Sequence, residues 1–163
     1  MSTEHGLSTE HPSIARVRRE LERNGATDEI RVFSKPVRTA AAAAAELGCH
    51  IGAIVNSLIF EADGAPVLIL TSGAHQVDTG KVAKRLAVSR LGKASPDFVR
   101  EHTGQVIGGV APVGHVRSIA AYIDPWLMQH ETIWAAAGHP DAVFSTTYDE
   151  LTRMTAASPL DVV

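Results

Sequence analysis

Hydrophobic positions along the chain change their period several times, and each change marks an element. Ile14, Val17 and Leu21 recur every three or four residues among arginines and glutamates, which predicts an amphipathic helix over 12–24, stopped by Gly25. Glu29–Phe33 reads as a short strand. Thr39 followed by Ala40–Ala45, Glu46 and Leu47 predicts a helix capped by Gly48, and its small side chains let it lie close against a sheet. Within Ala53–Thr71 two apolar, β-branched runs flank Asp63-Gly64, the strongest hairpin signal in the chain.

The second half is punctuated more finely. A helix begins near Asp78, a suitable N-cap, and another carries Ser95 as N-cap, Pro96 at its first position, Asp97 in its first turn and Gly104 past its end. Gln105–His115 reads as a strand running into a glycine-rich loop. Ser118–Asp124, Thr132–Gly138 and Ala142–Thr146 are further strand candidates, with a helical turn at Pro125–His130. Thr146–Ala157 reads as a closing helix capped by Thr146 or Thr147. Helices and short strands interleave without regular long crossovers, which predicts an α/β (α+β) domain around one central sheet.

Length and composition narrow this picture. At 163 residues and 45% hydrophobic content, the chain fits a single domain over 11–163, behind a polar leader expected to be disordered over 1–10. The net charge of −3 excludes the basic excess that drives tight binding to a long duplex, so any nucleic-acid contact is expected to be small and local. No run reaches the length of a membrane span, and Cys49 is the only cysteine, so neither a membrane nor a disulfide framework is expected and the cytoplasm is the expected location. Between Gly48 and His50, Cys49 reads as a small packing residue.

Motifs of common catalytic classes are missing. The histidines form no pair at metal-ligand spacing, so no metal or other cofactor is expected, and there is neither a phosphate-binding P-loop nor a nucleophile elbow. What stands out is Gly108–His115, with three glycines and Pro112 in eight residues. Gly108 and Gly109 let a ligand approach the main chain, Pro112 fixes the bend, and successive N–H groups in such a bend suit a carbonyl or an oxyanion.

In collinear order, Ile54–Phe60 is similar to a Val-Lys-(Ser/Thr)-Leu strand, Ser72–Asp78 to a Pro-Gly-Asp-x-x-Val-Asp turn, and Thr103–Gly114 to a Thr-Gly-x-x-x-Gly-Gly-x-x-Pro-x-Gly segment. With Tyr122–Asp124 and Tyr148–Thr155, these stretches resemble the YbaK/ProX family of aminoacyl-tRNA deacylase-like domains, related to the editing domain of bacterial prolyl-tRNA synthetases. The resemblance covers about residues 30–160, and Gly-Gly-x-x-Pro-x-Gly is its most specific part. It implies a compact domain with a mixed, mostly antiparallel sheet or partial barrel among helices. It further implies hydrolysis of the ester that joins a wrong amino acid to the 3′ end of a tRNA, with a synthetase as a possible second partner.

The resemblance places Asn56 and Gly108 in the catalytic roles, and His115, which departs from the family pattern, joins them because an imidazole titrates near neutrality and is suited to orient water. Ser57, Gly109, Val110, Ala111, Pro112, Gly114, His75, Asp78 and Asp124 become substrate-binding candidates. In this family the protein positions substrate, and a ribose hydroxyl assists water. Asn56 stands where the family has a lysine, so it hydrogen-bonds without supplying a charge. A module that binds the aminoacyl-tRNA end or a synthetase without hydrolysis is therefore the alternative reading. Another small ester or amino-acid derivative is a third occupant for the same pocket.

Overall fold

The structure, a computed structural model, describes residues 10–26 and 29–163. Of the leader expected over 1–10, residues 1–9 lie outside the described residues, while Glu10 pairs with Arg18 of the first helix. That helix, α1 (Pro12–Arg23), buries Ile14, Val17 and Leu21 as its period predicts. After β1 (Ile30–Val32), α2 (Ala40–Leu47) starts at Thr39, whose side chain accepts the Ala42 N–H, and ends at Gly48 with φ 70°. β2 (Ile54–Ala62) and β3 (Ala65–Ser72) are joined through Asp63-Gly64, both at positive φ as a two-residue hairpin turn requires.

Asp78 caps α3 (Thr79–Arg85), which leads to β4 (Leu91–Lys93). α4 (Pro96–Thr103) runs from its Ser95 cap to Gly104 at φ 75°. β5 (Ala120–Ile123), a 3-10 turn (Pro125–Gln129), β6 (Ile133–Ala136) and β7 (Ala142–Thr146) follow. Thr147 then caps α5 (Tyr148–Thr155), and β8 (Ser158–Pro159) closes the described chain.

The eight strands form one open sheet in the order β1-β7-β6-β2-β3-β5-β8, with β4 paired to β2 off this path. Its β1–β7, β7–β6, β2–β3 and β2–β4 pairings are antiparallel, and β2–β6, β3–β5 and β5–β8 are parallel. Alternation along β3 sends Leu68 and Leu70 into the core beneath α1, and Val67 and Ile69 toward Val82 of α3. α2 covers the same face as α3 at the other end of β2, where Ala43 and Ala44 rest on Ile54.

Two consequences position the site. First, β2 is a fork. Along one edge its Ile54 and Val55 pair with β6 and its Phe60–Ala62 pair with β4, and nothing pairs with the four residues between. Because the Ile54 carbonyl accepts the Gly73 N–H of the β3 side, the even-numbered residues of β2 bond toward β3 and the odd-numbered ones face the open edge. The main-chain groups of Ser57 and Ile59 therefore look into the gap.

Second, the strand expected at the start of Gln105–His115 does not form: residues 104–119 have no regular structure. Gln105 takes over the role of a ladder with its side chain, 2% exposed. Its Oε1 accepts the Ala111 N–H at 2.7 Å, and its Nε2 donates to the Val113 and Gly114 carbonyls at 3.3 and 3.4 Å. Thr103 anchors the start of the loop by donating to the Val99 carbonyl and accepting the Gln105 N–H. β4 and β8 were not expected; strands of three and two residues are too short to show a period.

Candidate active site at the fork in the sheet

The glycine-rich loop is clamped by main chain. A Cβ on Gly109 would lie 2.7 Å from the His139 carbonyl carbon and the Pro140 nitrogen, so Gly109 is the residue that lets the loop reach the 138–140 turn. A Cβ on Gly138, at φ 94°, would lie 2.7 Å from the Ser13 carbonyl oxygen of α1, and Gly114 rests on Val17. The loop, the 138–140 turn and α1 thus stack backbone on backbone. This stack holds Gly108 at the mouth of the fork.

Gly108 takes φ 90° and is exposed, whereas Gly109, Val110, Ala111 and Pro112 behind it are buried. Two of the loop's N–H groups are satisfied internally, Gly109 by the Val106 carbonyl and Ala111 by Gln105. The N–H groups of Gly108 and Val110 have no acceptor among the described residues. Those of Val113, Gly114 and His115 also lack one, but within the bend only Gly108 and Val110 border the fork.

Gly108 also borders two cavities. The smaller, about 150 Å³, is walled by Phe33, Ala43, Ile54, Trp134 and Ala136, with Arg38, Thr39, Asn56 and Gly108 as its polar members. The Asn56 amide has no hydrogen-bond partner among the described residues. The larger cavity, about 820 Å³, includes Ser57, Gly108 and Val110 and extends between α3, β4 and α4. The Ser57 hydroxyl is buried there without a partner, as is Thr71 Oγ1 on the strand beside Asn56.

The remaining candidates lie elsewhere. His115 donates from Nε2 to the Ala111 carbonyl at 2.6 Å, and burial pushes its imidazole below the ordinary pKa despite that bond, so it is neutral at pH 7. With Pro112 and Gly114 it borders a third cavity shared with Glu20 and Arg23, and it reaches neither cavity at the fork. The Asp78 carboxylate caps α3 through the Lys81 N–H. Asp124, 1% exposed, accepts the Ser72 and Trp126 N–H groups and holds His75 Nδ1 at 2.8 Å, and this pair borders a separate hollow beside Trp126. Cys49 packs between two core clusters, and burial raises its thiol pKa.

The fork therefore brings Asn56, Ser57, Gly108 and Val110 together. Gln105, which holds the loop, and Trp134 and Ala136, which wall the small cavity, carry no local signal that marks them for these tasks. They could be identified only once the chain had folded.

Comparison with known proteins agrees with this architecture. The model of the aminoacyl-tRNA editing domain matches residues 34–154, and the chain belongs to that family. A solved structure of a candidate trans-editing enzyme for prolyl tRNA synthetase superposes with a TM-score of 0.89 at 38% identity, covering 94% of this chain and 98% of that one. The uncharacterised protein YwhH of Bacillus subtilis is 26% identical over 141 residues, covering 86% of this chain and 90% of YwhH. The proline–tRNA ligase of Bacillus licheniformis is 38% identical over 93 residues, which span 57% of this chain and only 16% of the ligase.

Proposed function

We propose that the protein is a trans-acting editing deacylase that releases a small amino acid from the 3′ end of a mischarged tRNA. The observation that carries this reading is Gly108, which presents a free N–H where a small cavity, an unpartnered Asn56 amide and a large open cleft meet. The small cavity takes the amino-acid side chain. Its walls carry one cation, Arg38, and no acid, and its volume of about 150 Å³ excludes the largest side chains.

With the side chain seated, the ester lies at the fork. Water attacks the carbonyl carbon, the ester oxygen leaves with the ribose, and the developing negative charge falls to the free N–H groups of Gly108 and Val110. Main-chain donors fixed by a clamped loop need no reorganisation as that charge appears. Asn56 orients the substrate through hydrogen bonds, and a neighbouring ribose hydroxyl supports the attacking water, which accords with the Ser57 hydroxyl having no base hydrogen-bonded to it among the described residues. The reading implies work in the cytoplasm alongside a synthetase. The test is release of amino acid from tRNAs charged with alanine, cysteine or serine: release above buffer for at least one supports it, and none across the panel rejects it.

Asn56 also favours a second reading, a module that binds the acceptor end without cutting it, because a neutral amide replaces the expected lysine. Asn56→Lys separates the two. A deacylase adapted to asparagine loses on the order of ten- to a hundredfold in rate, whereas a lapsed one gains activity.

A further inference from the structure

The small cavity is rich in hydrogen-bond donors and holds no acid. Its polar side chains are Arg38, Thr39 and Asn56. Arg38 directly precedes the Thr39 cap, so the start of α2 fixes its main chain at the cavity while the long side chain stays exposed. Thr39 Oγ1 accepts the Ala42 N–H at 3.0 Å, which leaves its O–H to donate, and neither Arg38 nor Asn56 has a side-chain hydrogen-bond partner among the described residues. A guanidinium offers donors only, so donors outnumber acceptors along this lining.

Nothing nearby neutralises Arg38, which forms no ion pair among the described residues. Of the acids on neighbouring elements, Glu46 of α2 pairs with Lys35 at 3.7 Å, and Asp141 stands 3.9 Å from His139 Nδ1. The Arg31 guanidinium of β1 lies 5.1 Å from the centre of the Trp134 ring and so adds a second cation behind one wall. A side chain that enters this cavity meets donors that only an acceptor can answer, and an ammonium group is repelled. Because Arg38 is exposed, water answers it when a methyl group enters, which makes the penalty modest rather than the severe one of a sealed polar site.

We infer that Arg38 is a specificity-determining residue, which selects a short side chain ending in an oxygen acceptor over one ending in a methyl or an ammonium group. This rests on the aminoacyl-tRNA reading above, which limits the released amino acid by size alone. The oxygen has two sources of one chemistry, the hydroxyl of serine and the carboxylate of aspartate. Arg38 donates to either, with charge added in the second case. A volume of about 150 Å³ admits both, so chemistry rather than size separates them from alanine.

The test uses 3′-aminoacylamino-3′-deoxyadenosines, in which an amide replaces the ester so that nothing is cut, carrying alanine, serine, aspartate or 2,3-diaminopropionate and titrated calorimetrically into the full chain. The wild-type protein is expected to bind the serine or the aspartate compound at least about fivefold more tightly than the alanine one, and the diaminopropionate one most weakly. Tighter binding of serine alone assigns the hydroxyl as the source, and of aspartate alone the carboxylate, whose advantage shrinks with added salt. Arg38→Met is expected to bring all of them within about threefold of one another, and Arg38→Lys to keep part of the preference. Alanine bound as tightly as both oxygen-bearing compounds, no measurable binding of any, or an order that Arg38→Met leaves unchanged overturns the assignment. The first comparison needs only wild-type protein, so misfolding of a variant cannot hide its result. Deacylation is judged separately: preference for an oxygen-bearing side chain without release from charged tRNA sinks only the hydrolysis, whereas release without that preference sinks only the role of Arg38.

Discussion

Gln105→Leu removes the side chain that bridges the glycine-rich loop from Ala111 to Gly114 while nearly keeping its size. The orientation of the amide is forced, because Ala111 can only donate and the Val113 and Gly114 carbonyls can only accept. Leucine leaves the Ala111 N–H without an acceptor at a fully buried residue, a cost of about 1–3 kcal/mol, and deprives the buried Val113 carbonyl of its donor at about 1 kcal/mol more. Gly114 is half-buried and can turn to water. The sum, about 2–4 kcal/mol, is a large part of the ~5–15 kcal/mol of an ordinary domain. Urea unfolding should show a lower midpoint at unchanged slope, and the loop's loss of order should remove amino-acid release.

Gln105→Glu sharpens the comparison, since it keeps the acceptor for Ala111 but aims a carboxylate at two carbonyl oxygens. Burial would hold that carboxyl above its unfolded value near 4.3, so the folded state binds the extra proton and stability falls as pH rises through and beyond that value. A Leu variant within about 0.5 kcal/mol of wild type, with release intact, would refute the claim that Gln105 holds the loop.

Gly109→Ala drives a methyl into the His139–Pro140 main chain and should destabilise by roughly 1–3 kcal/mol, read by thermal melting, with loss of release; a wild-type melting point would mean that the 109–139 contact is loose. Ala136→Leu fills the small cavity from a half-exposed wall and should cut release of alanine at least about tenfold while moving stability by under about 1 kcal/mol; unchanged release would put the side chain elsewhere. His115, its pKa lowered by burial, should make the fold less stable as pH falls below about 6.5, because the unfolded chain takes up a proton that the buried imidazole resists. His115→Gln should flatten that pH dependence in urea titrations, and an unchanged slope would assign it to another group.

Much of the fold is legible in the sequence because its boundaries are local chemistry. Thr39, Asp78, Ser95 and Thr147 cap helices through their own side chains, Gly48 and Gly104 end them at positive φ, and Asp63-Gly64 turns the hairpin. The Gln105–His115 strand was misread because its alternation of apolar residues reflects burial of Val110, Ala111 and Val113 in an irregular loop, with one glutamine doing the work of a sheet edge. The site was legible only in part. Motif order brings Asn56 and Gly108 into one candidate list, but whether His115 joins them depends on which way the loop folds, and the structure turns it toward Ala111 and Glu20. The walls of the two cavities come from five or more separated segments, and no spacing along the chain encodes that meeting.

Hydrolysis at the fork is tested most directly by initial rates of amino-acid release from alanyl-tRNA and tryptophanyl-tRNA under identical conditions. The small cavity beside Asn56 and Gly108, with room for about one benzene ring, predicts that alanine is released and tryptophan retained. Equal release of both, or release of neither, contradicts it.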